Sequence, residues 1–189
     1  YVLLGNSIAP TLRDYFTARV ADDKDMALLP ASIGNFISGE AFSEIQSQEK
    51  DLNGSPVVVI QSLASAGDNS ANDASMQLLF TVRTLKRNGA GNISVIAPFA
   101  AYSRQDRAFD GKMTSLGAQD FATMLREAGV KSFSTIDMHS DAGINFFKDQ
   151  LGKDNVYNLD PTALFVADIA TRIQSNNICV GGPDAGANQ

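Results

Sequence analysis

Val57-Val58-Val59-Ile60 is an unbroken run of β-branched residues with no polar alternation. A strand with one face in water alternates apolar and polar side chains, whereas a parallel strand covered on both faces does not. The run therefore predicts a buried strand in a parallel sheet. Shorter apolar runs repeat the signal at Val2 to Leu4, Ile93 to Ala97, Phe133 to Ile136 and Ile178 to Val180. Helical patterns lie between them. Asn6 or Ser7 is expected to cap a helix reaching about Val20, with Pro10 in its first turn, where a missing N–H costs little. A second helix is expected from about Ala74 to Arg87, with Met76, Leu79 and Phe80 on one face and Gly89 and Gly91 ending it. Phe121, Leu125 and Ala128 mark a third, closed by Gly129. A short segment runs through Phe146-Phe147, and Pro161 starts a last helix with Phe165, Ile169 and Ile173 at four-residue spacing. Strands alternating with helices predict an α/β fold, with a largely parallel sheet flanked by helices and right-handed crossovers.

The chain has 189 residues, 44% of them hydrophobic, enough for a real core. The divided pattern predicts one α/β domain over residues 1–159 and the start of an incomplete second one over 160–189, where the last strand enters a glycine-rich turn. A formal net charge of −6 argues against nucleic acid as a partner. It does not exclude anionic ligands, because a few arginines can make a local positive pocket on an acidic protein. Cys179 is the single cysteine, so no intramolecular disulfide can form, and a reducing, cytoplasmic location is the expectation. Cys179 itself reads as a buried, inert thiol. No segment has the length and apolarity of a membrane span, and Tyr1 to Gly5 lacks the basic flank of a signal peptide.

Two polar clusters each follow a predicted strand. One is Tyr102-Ser103-Arg104-Gln105-Asp106-Arg107. The other is Asp137-Met138-His139-Ser140-Asp141, which holds the only histidine. In an open parallel sheet the strand C-termini converge on one edge, and ligands bind there. Arginine presents a planar fork of donors suited to phosphate, and Gln105 can donate and accept. Carboxylates beside a neutral imidazole can hold a divalent ion or order its waters. Asp184, in Pro183-Asp184-Ala185-Gly186, can bind Mg²⁺ or ribose hydroxyls. Phe36 and Glu40 flank a turn that offers a stacking face and an acceptor to an adenine. Together the clusters point to a phosphorylated ligand with a metal ion. Each also has an ordinary reading: a solvated loop, a structural histidine, a common Pro/Asp/Gly turn, a core phenylalanine. Neither a Gly-x-x-x-x-Gly-Lys-Ser/Thr loop nor a Gly-x-Gly-x-x-Gly fingerprint is present.

In order along the chain, these segments resemble ribose-phosphate pyrophosphokinase, the phosphoribosyl pyrophosphate synthetase family. Phe36-Ile37-Ser38-Gly39-Glu40 is similar to the family's Phe-Ser-Asp-Gly-Glu. Val59-Ile60-Gln61-Ser62 with Asn72-Asp73 and Leu85-Lys86-Arg87 resembles its Ile-Ile-Gln-Ser, Asn-Asp and Leu-Lys-Arg. Ala97-Pro98-Phe99-Ala100-Ala101-Tyr102-Ser103-Arg104-Gln105-Asp106-Arg107 resembles Ile-Pro-Tyr-Phe-Gly-Tyr-Ala-Arg-Gln-Asp-Arg. Ile136-Asp137-Met138-His139 and Phe146-Phe147 resemble Val-Asp-Leu-His and Gly-Phe-Phe, and Pro183-Asp184-Ala185-Gly186 completes the order.

The resemblance implies a phosphoribosyltransferase-like fold and Mg²⁺-dependent transfer of pyrophosphate from ATP to ribose 5-phosphate, giving phosphoribosyl pyrophosphate and AMP. It implies that Arg104 and Gln105 contact ATP, and that His139 and Asp184 hold Mg²⁺ directly or through water, with Asp137 beside them. Phe36, Ser38, Gly39 and Glu40 would meet the adenine from a neighbouring subunit, hence a homo-oligomer built from dimers, up to a hexamer. The sequence departs from the pattern in places. Ser38 replaces an aspartate, Lys148 stands where aspartate is usual, Gln119 lies near a usual lysine, and residues 108–115 lack the usual arginines and proline. The family's later half supplies a flexible loop with catalytic lysine and arginine and the loop that cradles ribose 5-phosphate; these residues do not include it. The alternative is a non-catalytic regulatory paralogue that assembles with an active synthetase. A phosphoribosyltransferase is disfavoured, since the matches lie in the ATP-side half.

Overall fold

A computed structural model describes residues 1–46, 52–173 and 181. The chain divides into two compact units, Tyr1–Leu159 and Asp160–Gln189.

In the first unit, β1 (Val2–Leu4), β4 (Val57–Ile60), β5 (Ile93–Ile96), β6 (Val130–Ile136) and β7 (Val156–Leu159) form one sheet in the order β1-β4-β5-β6-β7. All four pairings are parallel; Val59 lies opposite Leu3 on one side and Val95 on the other. Helices α2 (Ala71–Arg87), α3 (Gly117–Ala128) and α4 (Asp141–Leu151) connect β4 to β7 in turn. Because each crossover steps in the same direction, right-handed connections put all three helices on one face. Their apolar sides meet the sheet in the main core, where Leu78, Val82, Leu125, Phe133 and Phe147 are fully buried. Phe133 and Phe147 pack with ring centroids 4.7 Å apart. Helix α1 (Pro10–Ala21) serves a smaller cluster in which Val20 joins Val2 and Ile60. Each such fully buried aliphatic or aromatic side chain is worth about 1.5–3 kcal/mol relative to exposure.

Several elements differ from expectation for identifiable reasons. Neither Asn6 nor Ser7 caps α1. Pro10 occupies its first position, and the residue before a proline is driven to extended backbone; Ala9 has φ −55°, ψ 140° and no side-chain cap. Ser7 instead accepts a hydrogen bond from Asn69 Nδ2 at 2.7 Å. Helix α2 begins at Ala71 rather than Ala74. Ser70 accepts from the Asp73 N–H at 3.1 Å while Asp73 accepts from the Ser70 N–H at 2.9 Å, a reciprocal cap. Strand β5 ends at Ile96, one residue before Ala97.

Four elements go beyond the sequence expectation. A hairpin of β2 (Ala31–Asn35) and β3 (Ala41–Ile45) pairs antiparallel, with Asn35 opposite Ala41. It is tied to α2 by Thr81 Oγ1 donating to Ser43 Oγ at 2.8 Å and Gln77 Nε2 donating to Asn35 Oδ1 at 3.0 Å. Strand β7 is another, and α4 is a full helix around Phe146-Phe147, capped by Ser140.

In the second unit, α5 (Thr162–Arg172) follows Pro161, and Asp160 Oδ1 accepts from the Thr162 N–H at 2.8 Å. The expected strand Ile178 to Val180, with Cys179, lies outside the described residues. Among the described residues no helix is long and apolar enough to cross a membrane.

Candidate functional site

The loops after β5 and β6 leave the sheet side by side. Beyond the end of β5, Ala97 N–H donates to Ser134 O at 2.8 Å and Ile136 N–H to Pro98 O at 3.3 Å, so backbone pairing fixes the roots of both loops. The first loop reverses at Tyr102, whose φ is 60°. Its carbonyl accepts from the Gln105 N–H at 2.9 Å. Its ring lies 5.4 Å from that of Phe121, and its hydroxyl donates to Asn72 Oδ1 at 2.8 Å. The second loop turns at Asp137, whose φ is 49°. Strand β7 braces it: Asp137 N–H donates to Leu159 O at 3.0 Å and Met138 N–H to Asn158 Oδ1 at 2.9 Å. Left-handed backbone costs a non-glycine residue about 1–3 kcal/mol and concentrates at functional sites. Of the three such residues among those described, Asn53, Tyr102 and Asp137, two stand at this edge.

Between the loops lies a cleft of about 260 Å³ lined by Arg104, Asp137 and His139 together with Ser103, Thr135 and Met138. Arg104, Asp137 and His139 are exposed to it. No carboxylate among the described residues pairs with Arg104, which leaves its guanidinium donors available to an anion. Thr135 is buried, and its hydroxyl has no hydrogen-bond partner. Arg107, though next in the loop, points to solvent, with its side chain 75% exposed and Nε 4.0 Å from Asp106 Oδ1. Asp106 is drawn inward. It accepts from Ser140 Oγ at 2.5 Å, and that bond, outweighing the opposing cost of burial, holds its carboxyl below the ordinary carboxylate range.

Arg104 and His139 are thus brought together, and Asp137 with them. Gln105 is not. It lines a neighbouring cleft of about 210 Å³ between α2 and α3, with Ser75, Leu79 and Phe121. There its Oε1 accepts from Ser115 Oγ at 2.9 Å. Phe36, Ser38, Gly39 and Glu40 form the tip of the β2–β3 hairpin and line neither cleft. The tip is a tight turn in which Gly39 N–H donates to Phe36 O at 2.8 Å and Gly39 has φ 87°. Ser38 Oγ donates to Glu40 Oε2 at 2.8 Å, and the half-exposed Phe36 ring lies 4.8 Å from that of Phe42. Asp184 lies outside the described residues.

Among the described residues no group of three or more histidine, cysteine or acidic side chains stands ready for a metal ion. The cleft does fit a cation that keeps waters and takes one or two protein ligands plus phosphate oxygens, as Mg²⁺ does. It offers one carboxylate, one imidazole, an unpartnered hydroxyl and an unpaired arginine for the phosphates. Tyr102, Thr135 and Ser140 carry no local sequence signal for their places here: a left-handed tyrosine has no composition pattern, the Thr135 hydroxyl is set by burial, and the Ser140 hydroxyl by a partner 34 residues away.

A parallel sheet with helices across it, presenting ligand-facing loops at adjacent strand ends, defines an α/β domain of the phosphoribosyltransferase-like class. Residues 8–129 match the family described as the N-terminal domain of ribose phosphate pyrophosphokinase, and the chain belongs to that family. It is 34% identical over 167 residues to the ribose-phosphate pyrophosphokinase of Granulibacter bethesdensis, covering 88% of this chain and 50% of that protein. The ribose-phosphate pyrophosphokinase of Hyphomonas neptunium is 33% identical over 167 residues, covering 88% of this chain and 49% of its own. The crystal structure of phosphoribosylpyrophosphate synthetase from Mycobacterium smegmatis superimposes with a TM-score of 0.72 at 25% identity, over 90% of this chain and 51% of that one. The chain spans about half the length of the curated relatives it matches.

Proposed function

We propose that this chain is the ATP-side half of a ribose-phosphate pyrophosphokinase, which transfers the β,γ-diphosphoryl group of ATP to the 1-hydroxyl of ribose 5-phosphate. The observation that carries the reading is the meeting of unpaired Arg104 with Asp137 and His139 in one cleft, in a chain of this family. The hydroxyl oxygen attacks the β-phosphorus in line. The bond from that phosphorus to the α,β-bridging oxygen breaks, and AMP leaves with the electron pair while the hydroxyl proton is lost. Arg104 binds the polyphosphate and offsets the charge that builds on it. Asp137 and His139 would hold Mg²⁺, which when bound neutralises phosphate charge. Such catalysis is mostly positioning, and two left-handed turns and a braced strand end suit rigid loops.

Gln105 would approach the nucleotide from the neighbouring cleft. Phe36 and Glu40 on the hairpin, with Ser38 orienting the Glu40 carboxylate, would face an adenine bound by another subunit of a homo-oligomer. The unit from Asp160 would begin the second α/β domain, and the ribose 5-phosphate loop would come from the remainder of the full-length protein. A cytoplasmic location accords with the reading. The test is product identification with the full-length protein, ATP, Mg²⁺ and ribose 5-phosphate by phosphorus NMR. AMP with phosphoribosyl pyrophosphate is expected. ADP as product, or AMP formation without ribose 5-phosphate, overturns the proposal.

A further inference from the structure

We infer that Asp106 and Ser140 are a positioning pair that sets the spacing between Arg104 and His139. The inference rests on the function proposed above. Backbone pairing at Ala97–Ser134 and Ile136–Pro98 fixes only the roots of the two loops. Their tips, where Arg104 and His139 sit, are joined by a side-chain bond across 34 residues of sequence: Ser140 Oγ donates to Asp106 Oδ2 at 2.5 Å. A hydroxyl on a carboxylate is among the stronger hydrogen bonds. Asp106 is 9% exposed, while Arg104, Gln105 and Arg107 around it are exposed. It anchors the arginine loop on the α4 side, as the Tyr102 hydroxyl ties it to α2.

Ser140 follows His139 directly, and its hydroxyl is used twice. It donates to Asp106 and accepts from the Gly143 N–H at 3.0 Å, capping α4. The two partners fix its rotamer, and α4 thereby becomes the rigid body against which the arginine loop is set. The helix packs alongside the loop: a Cβ at Gly143 would stand in ordinary van der Waals contact, 3.6 Å from Ser103 O, the carbonyl before Arg104. Neither Asp106 nor Ser140 lines the cleft. They act on the ligand through Arg104 and His139.

The test separates this role from helix capping. Asp106→Ala leaves the cap intact. Ser140→Asp keeps a good cap but sets two carboxylates against each other. In the full-length protein both are expected to raise KM for Mg·ATP and lower kcat/KM about 10- to 100-fold, the scale of a misplacement near 1 Å. Ser140→Thr, which keeps donor and acceptor, should recover most of the loss. A purely structural role would lower the unfolding midpoint and the active fraction while leaving KM for Mg·ATP unchanged, and that result in Asp106→Ala overturns the inference. Calorimetric binding of Mg·ADP is measured in parallel. Wild-type protein that binds Mg·ADP without turnover, with binding weakened in both variants, upholds the pair and removes the synthetase reading; wild-type protein that neither binds nor turns over removes both.

Discussion

The Tyr102 hydroxyl donates to Asn72 Oδ1 at 2.8 Å, tying the first turn of α2 to the loop that carries Arg104. Tyr102 holds φ 60° and its ring packs against Phe121. Tyr102→Phe keeps the ring contact and removes the bond. It is expected to cost about 0.5–1.5 kcal/mol, the usual net worth of one hydrogen bond. Urea denaturation of the two proteins side by side checks this; an unchanged midpoint would show that the bond contributes nothing.

Gly91 permits a close backbone approach. A Cβ there would stand 2.1 Å from Gly54 O, which cannot swing aside as a side chain can. That carbonyl belongs to the turn leading into β4, and Gly91 N–H donates to Ser55 O at 2.9 Å. Gly91→Ala should destabilise by about 1–3 kcal/mol, as overpacking does. A thermal unfolding midpoint equal to wild type would contradict the close approach.

Asp106 gives a pH signature. The Ser140 hydrogen bond lowers its folded-state pKa from the ordinary 3.8. The group binds fewer protons folded than unfolded, so its stabilisation is complete above that ordinary value and is lost as pH falls through the lowered one. The stability difference between wild type and Asp106→Asn should be constant near neutrality and shrink below about pH 4. A gap that widens in acid would reverse the sign and contradict the assignment.

The hairpin tip makes a separable claim. Phe36 packs on Phe42, so Phe36→Ala should cost stability by about 0.5–1.5 kcal/mol. Aromatic stacking on a base is worth about 1–3 kcal/mol, so KM for ATP should rise by about tenfold in steady-state kinetics. A KM that does not move would mean that the tip does not meet the nucleotide.

How much of this was legible in the sequence follows from the range of the forces involved. The unalternating run at Val57 to Ile60 reports burial on both faces, and the parallel sheet followed from it. Helix α3 was readable because its apolar spacing and Gly129, at φ 111°, are local signals. The hairpin was not. Ala31-Ser32-Ile33-Gly34-Asn35 has little apolar alternation, and its stability comes from packing on α2 through Gln77 and Thr81, some forty residues later. Strand β7, with Tyr157 and Asn158 at its centre, lacks a buried pattern and is held by its pairing with β6. At the site, adjacency of β5 and β6 predicted that the arginine loop and His139 would meet, and they do line one cleft. The divergence of Arg104 from Gln105 depends on the left-handed turn at Tyr102, and the anchoring of Asp106 on a serine after the histidine. Both are tertiary facts, without a local residue pattern to announce them.

The most direct measurement is the steady-state rate of AMP formation by the full-length protein with saturating ribose 5-phosphate, for wild type, Arg104→Ala and His139→Ala. Both side chains are exposed in the cleft, so the unfolding midpoints should stay close to wild type. The expected result is a loss of kcat/KM for ATP of about 100-fold or more in each variant, the scale on which removal of a charge-stabilising group is felt. Wild-type rates in either folded variant would show that the cleft between Arg104 and His139 is not where ATP reacts.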